Sequence, residues 1–171
     1  MVDIDGFAMF HILKKVDPKN YCNPKGKGTL MMDNPIVLFV DDEVEYLEVM
    51  IKRMDKRGLT VSGAASGEEA LDWLRQHSVD VVVLDVKMLG LDGIQTLREI
   101  KKIKPRVEVI MLTGHASLDA ANEGMALGAF DYIMKPVNID DLLHKIQDAC
   151  IMKRINGDKI RADKEVIDEN H

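Results

Sequence analysis

Cysteine is scarce: Cys22 and Cys150 are the only two in 171 residues, too few for a disulfide framework and too far apart for a metal knuckle. With eleven methionines, such unpaired thiols fit a reducing compartment. Positive charge is also short. Twenty-three Lys and Arg face 29 Asp and Glu, and the formal net charge of −6 speaks against a broad nucleic-acid or anionic-membrane surface. No apolar run approaches the roughly 20 residues that cross a bilayer. Asp3 and Asp5 stand where a secretion signal carries basic residues, and no long apolar core follows them. These absences predict a soluble, cytoplasmic protein with no membrane partner and no direct nucleic-acid contact. What remains is an ordinary globular balance, 46% apolar and 30% charged, in a length suited to one domain with some extra chain.

Residues 1–32 read as an N-terminal extension or linker. Ile4, Phe7 and Phe10 suit one or two helical turns, but Asp17-Pro18 and Asn23-Pro24-Lys25-Gly26-Lys27-Gly28 are turn chemistry. Gly26-Lys27-Gly28-Thr29 lacks the preceding strand and glycine that a phosphate-binding loop requires. Met31-Met32 directly precedes the first strand and is an alternative natural start.

From Ile36 the pattern is regular. Ile36 to Val40 is an apolar strand, and Leu47, Met50, Ile51 and Met54 recur at helical spacing until Gly58. Thr60 to Ala64 is a second strand. Ser66-Gly67-Glu68-Glu69 is a capping box that opens a helix with Ala70, Leu71 and Leu74 inward. Val81 to Leu84, apolar and mostly β-branched, suits a strand buried on both faces of a parallel sheet. A helix is expected from about Asp92 to Ile103, a strand from Val107 to Leu112, a helix from Ser117 to about Leu127, and a strand from Phe130 to Met134. Asn138 caps a last helix whose Ile139, Leu142, Leu143, Ile146 and Cys150 share a face. Gly157 is expected to break it, leaving residues 154–171 as a polar C-terminal tail. Five strands alternating with five helices over residues 33–153 predict a doubly wound α/β domain with a five-stranded parallel sheet.

The polar residues of interest fall at the strand exits. The first strand ends in Asp41-Asp42-Glu43, the third in Asp85, the fourth in Thr113-Gly114-His115 and the fifth in Lys135-Pro136. Each has a bland reading by itself. The acids serve as a helix N-cap, Asp85 as a loop cap, Thr113-Gly114 as a strand ending in a turn, and Lys135 as a solvated side chain. Tyr132 reads most simply as an aromatic packed under the last helix. Occurring together, at successive strand ends, they point to a site. In the strand order 2-1-3-4-5 the first and third strands are neighbours at the switch point, where open α/β sheets place their chemistry. Asp41, Asp42 and Asp85 would converge there, and three carboxylates in a partly dry crevice call for a hard divalent cation such as Mg²⁺.

These words resemble the receiver domain of two-component response regulators, a flavodoxin-like fold. The resemblance rests on Ile36-Val37-Leu38-Phe39-Val40-Asp41-Asp42-Glu43, Val83-Leu84-Asp85-Val86-Lys87-Met88, Leu91-Asp92-Gly93, Thr113-Gly114-His115-Ala116-Ser117 and Gly128-Ala129-Phe130-Asp131-Tyr132-Ile133-Met134-Lys135-Pro136. It implies that Asp85 accepts a phosphoryl group from a sensor histidine kinase or phosphotransfer protein. It further implies Mg²⁺ held by Asp42, by Asp41 mostly through water, by Asp85 and by the Lys87 backbone carbonyl. Thr113 and Lys135 would hold the phosphoryl oxygens, and Tyr132 would swing inward as Thr113 moves. Lys87 and His115 would tune dephosphorylation. Such a protein is a phosphoacceptor switch rather than an enzyme acting on other substrates. Its expected partners also include a downstream protein target, met through the surface of helix four, strand five and helix five, and a phosphorylation-dependent homodimer.

Two features depart from the family pattern. Leu89 stands where the family's loop usually has proline. About 18 residues follow Lys153, too few for an output module, so a stand-alone receiver is expected. Competing readings are weaker. An aspartyl phosphohydrolase needs a second Asp two residues after the first, and Lys87 is there. A flavin-binding module needs hydroxyls and glycines where Asp41-Asp42-Glu43 would repel phosphate. A receiver-shaped scaffold that is never phosphorylated is the third alternative.

Overall fold

The computed structural model describes residues 35–114 and 117–168, with the side chains of the last helix as far as Lys159. The expectations for residues 1–32 and for His115 therefore lie outside the described residues. Five strands, β1 (Ile36–Val40), β2 (Thr60–Ala64), β3 (Val81–Leu84), β4 (Glu108–Thr113) and β5 (Asp131–Met134), alternate with five helices. These are α1 (Val44–Asp55), α2 (Gly67–Gln76), α3 (Gly93–Ile103), α4 (Leu118–Ala126) and α5 (Ile139–Asp168). The sheet is parallel throughout, in the order β2-β1-β3-β4-β5. This is the expected flavodoxin-like arrangement.

Alternation along the strands divides the core in two. Leu38, Val40, Val82, Leu84, Val109 and Met111 pack with the inner faces of α2 and α3. Val37, Phe39, Val81, Val83, Ile110 and Leu112 pack with Leu47, Met50 and Met54 of α1 and Leu142 and Ile146 of α5. All four residues of β3 are buried, as a central parallel strand covered on both faces must be. Each such side chain contributes about 1.5–3 kcal/mol by leaving water.

Several local expectations need correction. Ser66 Oγ does accept from the Glu69 amide, but the Glu69 carboxylate turns back to the Ala65 amide, 2.7 Å away, so the box is not reciprocal. The reciprocal capping box lies at Asp92 and Gln95. Tyr132 packs on the α2–α3 side of the sheet, not under α5, because Ile133 beside it takes the α5 side and neighbours on a strand face opposite ways. The last helix runs through Gly157 to Asp168. Gly58 and Gly128 follow α1 and α4 with φ of 84° and 93°, a conformation that stops a helix, whereas Gly157 stays helical. A helical glycine costs only about 1 kcal/mol, too little to stop a helix already docked along its first half.

Candidate functional site

Strand pairing builds the site. β1 and β3 pair so that Val40 lies opposite Leu84, and the Asp85 amide donates to the Val40 carbonyl at 2.9 Å. The next residue of each strand is thus an aspartate, Asp41 and Asp85, and both are buried. Asp42 follows at the mouth, half-buried, and oxygens of the three carboxylates lie within 4.8 Å of one another. Thr113 ends β4 fully buried, and its carbonyl accepts the Lys135 amide at 2.7 Å, which fixes the lysine as it leaves β5.

Lys135 is the cation of the cluster. Its Nζ lies 2.6 Å from Asp41 Oδ2, 3.6 Å from Asp85 Oδ1 and 3.7 Å from Glu43 Oε1. Burial works to lower its pKa, but the hydrogen bond to Asp41 and the charges of Asp41 and Asp85 outweigh it, and the net shift is upward. Asp85 is pushed up to about 6, chiefly by burial, with Asp41 and Asp42 adding to the rise and Lys135 opposing it. Three carboxylates against one ammonium leave an excess of negative charge. The donors are all oxygens, they converge, and Asp42 is open to solvent; such a set fits a hard divalent cation that keeps part of its water.

The other expected residues lie around this centre. Lys87 is exposed on the loop between β3 and α3. That loop lines a cavity of about 460 Å³ together with Asp42 and Ile94. Tyr132 is half-buried, and its phenol is raised by burial, opposed by a hydrogen bond with the Ser117 backbone and reinforced by the charge of Asp85. It therefore sits between the site and the start of α4.

Sequence reasoning missed two neighbours. The Tyr46 ring lies under Lys135, with Nζ 4.3 Å from its centroid, an arrangement worth about 0.5–2 kcal/mol. Its position four residues beyond Asp42, on the first turn of α1, was the available signal. The second is Glu68, an ordinary exposed acid in the sequence, which accepts the Leu91 amide at 3.2 Å and so touches the loop after Asp85. Nothing in the sequence marked it.

Comparison with known proteins gives a consistent result. The family model described as the response regulator receiver domain matches residues 37–147. The chain is 36% identical over 117 residues to the transcriptional regulatory protein ZraR of Escherichia coli, covering 68% of this chain and 26% of that protein. It is 38% identical over 110 residues to the DNA-binding transcriptional regulator NtrC of Klebsiella pneumoniae, covering 64% and 24%. The match thus spans about a quarter of the length of these curated relatives. Among solved structures, a response regulator receiver domain protein from Clostridium thermocellum is 41% identical with a TM-score of 0.67, covering 71% of this chain and 98% of that one. A CheY-like receiver domain protein from Methanospirillum hungatei is 31% identical with a TM-score of 0.69, covering 72% and 98%.

Proposed function

The chain belongs to the response regulator receiver domain family, and on that premise we propose that Asp85 is its phosphoacceptor. The observation that carries this reading is the Lys135 ammonium lying between Asp41 and Asp85, in a crevice where carboxylates outnumber cations. An Asp85 carboxylate oxygen attacks the phosphorus of a phosphohistidine on a sensor histidine kinase or phosphotransfer protein. The phosphorus–nitrogen bond breaks, its electron pair returns to the imidazole, and Asp85 becomes an acyl phosphate. Asp41, Asp42, Asp85 and the Lys87 carbonyl would hold Mg²⁺, which supplies charge neutralisation for an anionic nucleophile meeting an anionic phosphoryl group. Lys135 gives the phosphoryl oxygens a point charge on a flexible stem, and the Thr113 hydroxyl donates to another of them. Lys87 and His115, each two residues beyond a site residue, tune the attack of water on the product.

Phosphorylation replaces the single carboxylate charge of Asp85 with a bulkier phosphoryl group carrying about −1.5 to −2 and new acceptor oxygens, enough to bias Thr113, Tyr132 and the α4–β5–α5 surface between two packings. That surface exposes Leu118 and Met134, which suit a downstream protein target or a phosphorylation-dependent homodimer. The main test is intact mass after acetyl phosphate treatment, with and without Mg²⁺, on wild type and Asp85→Asn. One phosphoryl group requiring both Mg²⁺ and Asp85 is expected. A folded protein with no adduct under any condition would leave a silent scaffold instead.

A further inference from the structure

The loop from Asp85 to Asp92 is closed tightly at its base; Met88 and Leu91 pack on the core, the Thr96 hydroxyl donates to the Leu91 carbonyl at 3.4 Å, and the crown amides find acceptors on other parts of the chain. At the base, the Gly93 amide donates to the Val86 carbonyl at 2.9 Å, and a Cβ on Gly93 would collide with the Asp85 carbonyl and Val86. At the crown, the Leu89 amide donates to Asp42 Oδ2 at 3.0 Å and the Leu91 amide to Glu68 Oε1 at 3.2 Å. Between them Gly90 adopts φ of 77°, and a Cβ there would stand 3.2 Å from Glu68 Oε1. Two carboxylates from different elements thus grip alternate amides of one short turn.

We propose that Glu68 is a positioning residue for the site: by accepting the Leu91 amide it holds the crown of this loop, and with it Lys87, in register with Asp42 and Asp85. The inference rests on the phosphoacceptor reading and adds to it a residue outside the acid cluster. Asp42 has two tasks, because the carboxylate that accepts the Leu89 amide also belongs to the cation-binding set. A cation that draws Asp42 inward weakens the first clip. Glu68 reaches the loop from the first turn of α2 and is outside the acid cluster, so its clip shares no carboxylate with the cation-binding set. With Leu89 and not proline at the crown, the backbone there is held by hydrogen bonds and not by a ring, and the Glu68 oxygen on the Leu91 amide is the clip that does not compete with the cation-binding set.

The test uses the full chain and compares Glu68→Ala with Glu68→Gln, which keeps an acceptor oxygen at the same reach. Three quantities are read: exchange of the Leu91 amide by NMR, Mg²⁺ affinity by calorimetry, and the rate of phosphoryl uptake from acetyl phosphate across Mg²⁺ concentrations. Glu68→Ala should speed Leu91 exchange and weaken Mg²⁺ binding roughly 3–10-fold, the equivalent of one lost hydrogen bond. Uptake should slow at low Mg²⁺ and recover at saturating Mg²⁺. Glu68→Gln should stay near wild type in all three, and Gly90→Ala should follow Glu68→Ala. Unchanged Mg²⁺ affinity in Glu68→Ala, or equal impairment in Glu68→Gln, would overturn the proposal. If the wild type itself takes up no phosphoryl group, the phosphoacceptor reading fails, while Mg²⁺ affinity and amide exchange still decide the role of Glu68.

Discussion

The two ends of the sheet are each tied by a lysine reaching an aspartate from a distant part of the chain, and they differ in what the tie leaves over. At the amino end Lys153 Nζ sits 2.7 Å from Asp80 Oδ1 and donates also to the Val79 carbonyl at 2.9 Å. The other Asp80 oxygen accepts the Ile36 amide at 3.0 Å. One cation meets one anion, and both Asp80 oxygens and the β1 entry are satisfied. At the carboxyl end a single ammonium serves Asp41, Asp85 and the rim residue Glu43, while Asp42 engages the loop instead. The same residue types thus make a finished joint at one end and an unbalanced cluster at the other. A charge imbalance kept among buried groups costs stability, and such a cluster marks where a ligand or a reaction is to be accommodated.

This contrast is breakable by experiment. The largest expected effect is all-or-none: Asp85→Asn should take up no phosphoryl group, whereas Asp80→Asn should be phosphorylated at a rate within about twofold of wild type, since position 80 carries only structure. Intact mass decides it, and loss of uptake in both variants would erase the functional difference between the ends. Next in size is the thiol of Cys150, one turn before Lys153, which burial first and the charge of Asp80 second push up to about 11. In a Cys22→Ser background its reaction with a disulfide reagent at pH 8 should be at least about 100-fold slower native than in urea. Because the folded pKa is raised, the associated stability is present below about 9 and is lost as pH rises through about 11.

Stability should move in opposite directions at the two ends. The folded pKa of Asp85 is raised from 3.8 to about 6, so its ionised form opposes folding. The penalty is absent below about pH 4 and grows as pH rises through 6. In a chelating buffer at pH 8, Asp85→Asn should therefore gain about 1–2 kcal/mol by urea titration, a gain that vanishes near pH 4. Asp80→Ala should instead lose about 2 kcal/mol by stripping the Ile36 amide and Lys153 of their acceptor. A destabilised Asp85→Asn at pH 8 would show that the upper cluster is balanced after all. The smallest effect belongs to Gly157, where a Cβ meets open space. Gly157→Ala should raise helix content with a gain under about 1 kcal/mol, read by circular dichroism.

Much of this molecule was legible in its sequence, for local reasons. β1 and β3 begin and end where the apolar runs do, because central strands covered on both faces tolerate little polar interruption; the edge strand β2 also has the expected bounds, although it carries Thr60 and Ser62. β4 and β5 lie one residue later at their starts than the runs of Val107 and Phe130 suggested. There the Val107 amide closes a turn with Lys104, and Thr113 joins the sheet by pairing with Met134. The convergence of Asp41, Asp42 and Asp85 followed from strand order alone, since a parallel sheet delivers the exits of neighbouring strands to one edge.

Other features were decided only by tertiary structure. Lys135 and Asp41 are 94 residues apart, Lys153 and Asp80 are 73 apart, and Glu68 meets Leu91 across 23. No periodicity relates such positions; their contact depends on how helices seat against loops after the sheet has formed. The direction of Glu69, the side of the sheet that Tyr132 faces and the passage of α5 through Gly157 are choices among local conformations close in energy. Hydrophobic pattern, which acts over a few residues at several kcal/mol per element, determined the sheet and its chemistry-bearing edge. The balance of single hydrogen bonds, each about 1 kcal/mol and each dependent on a distant partner, waited for the fold.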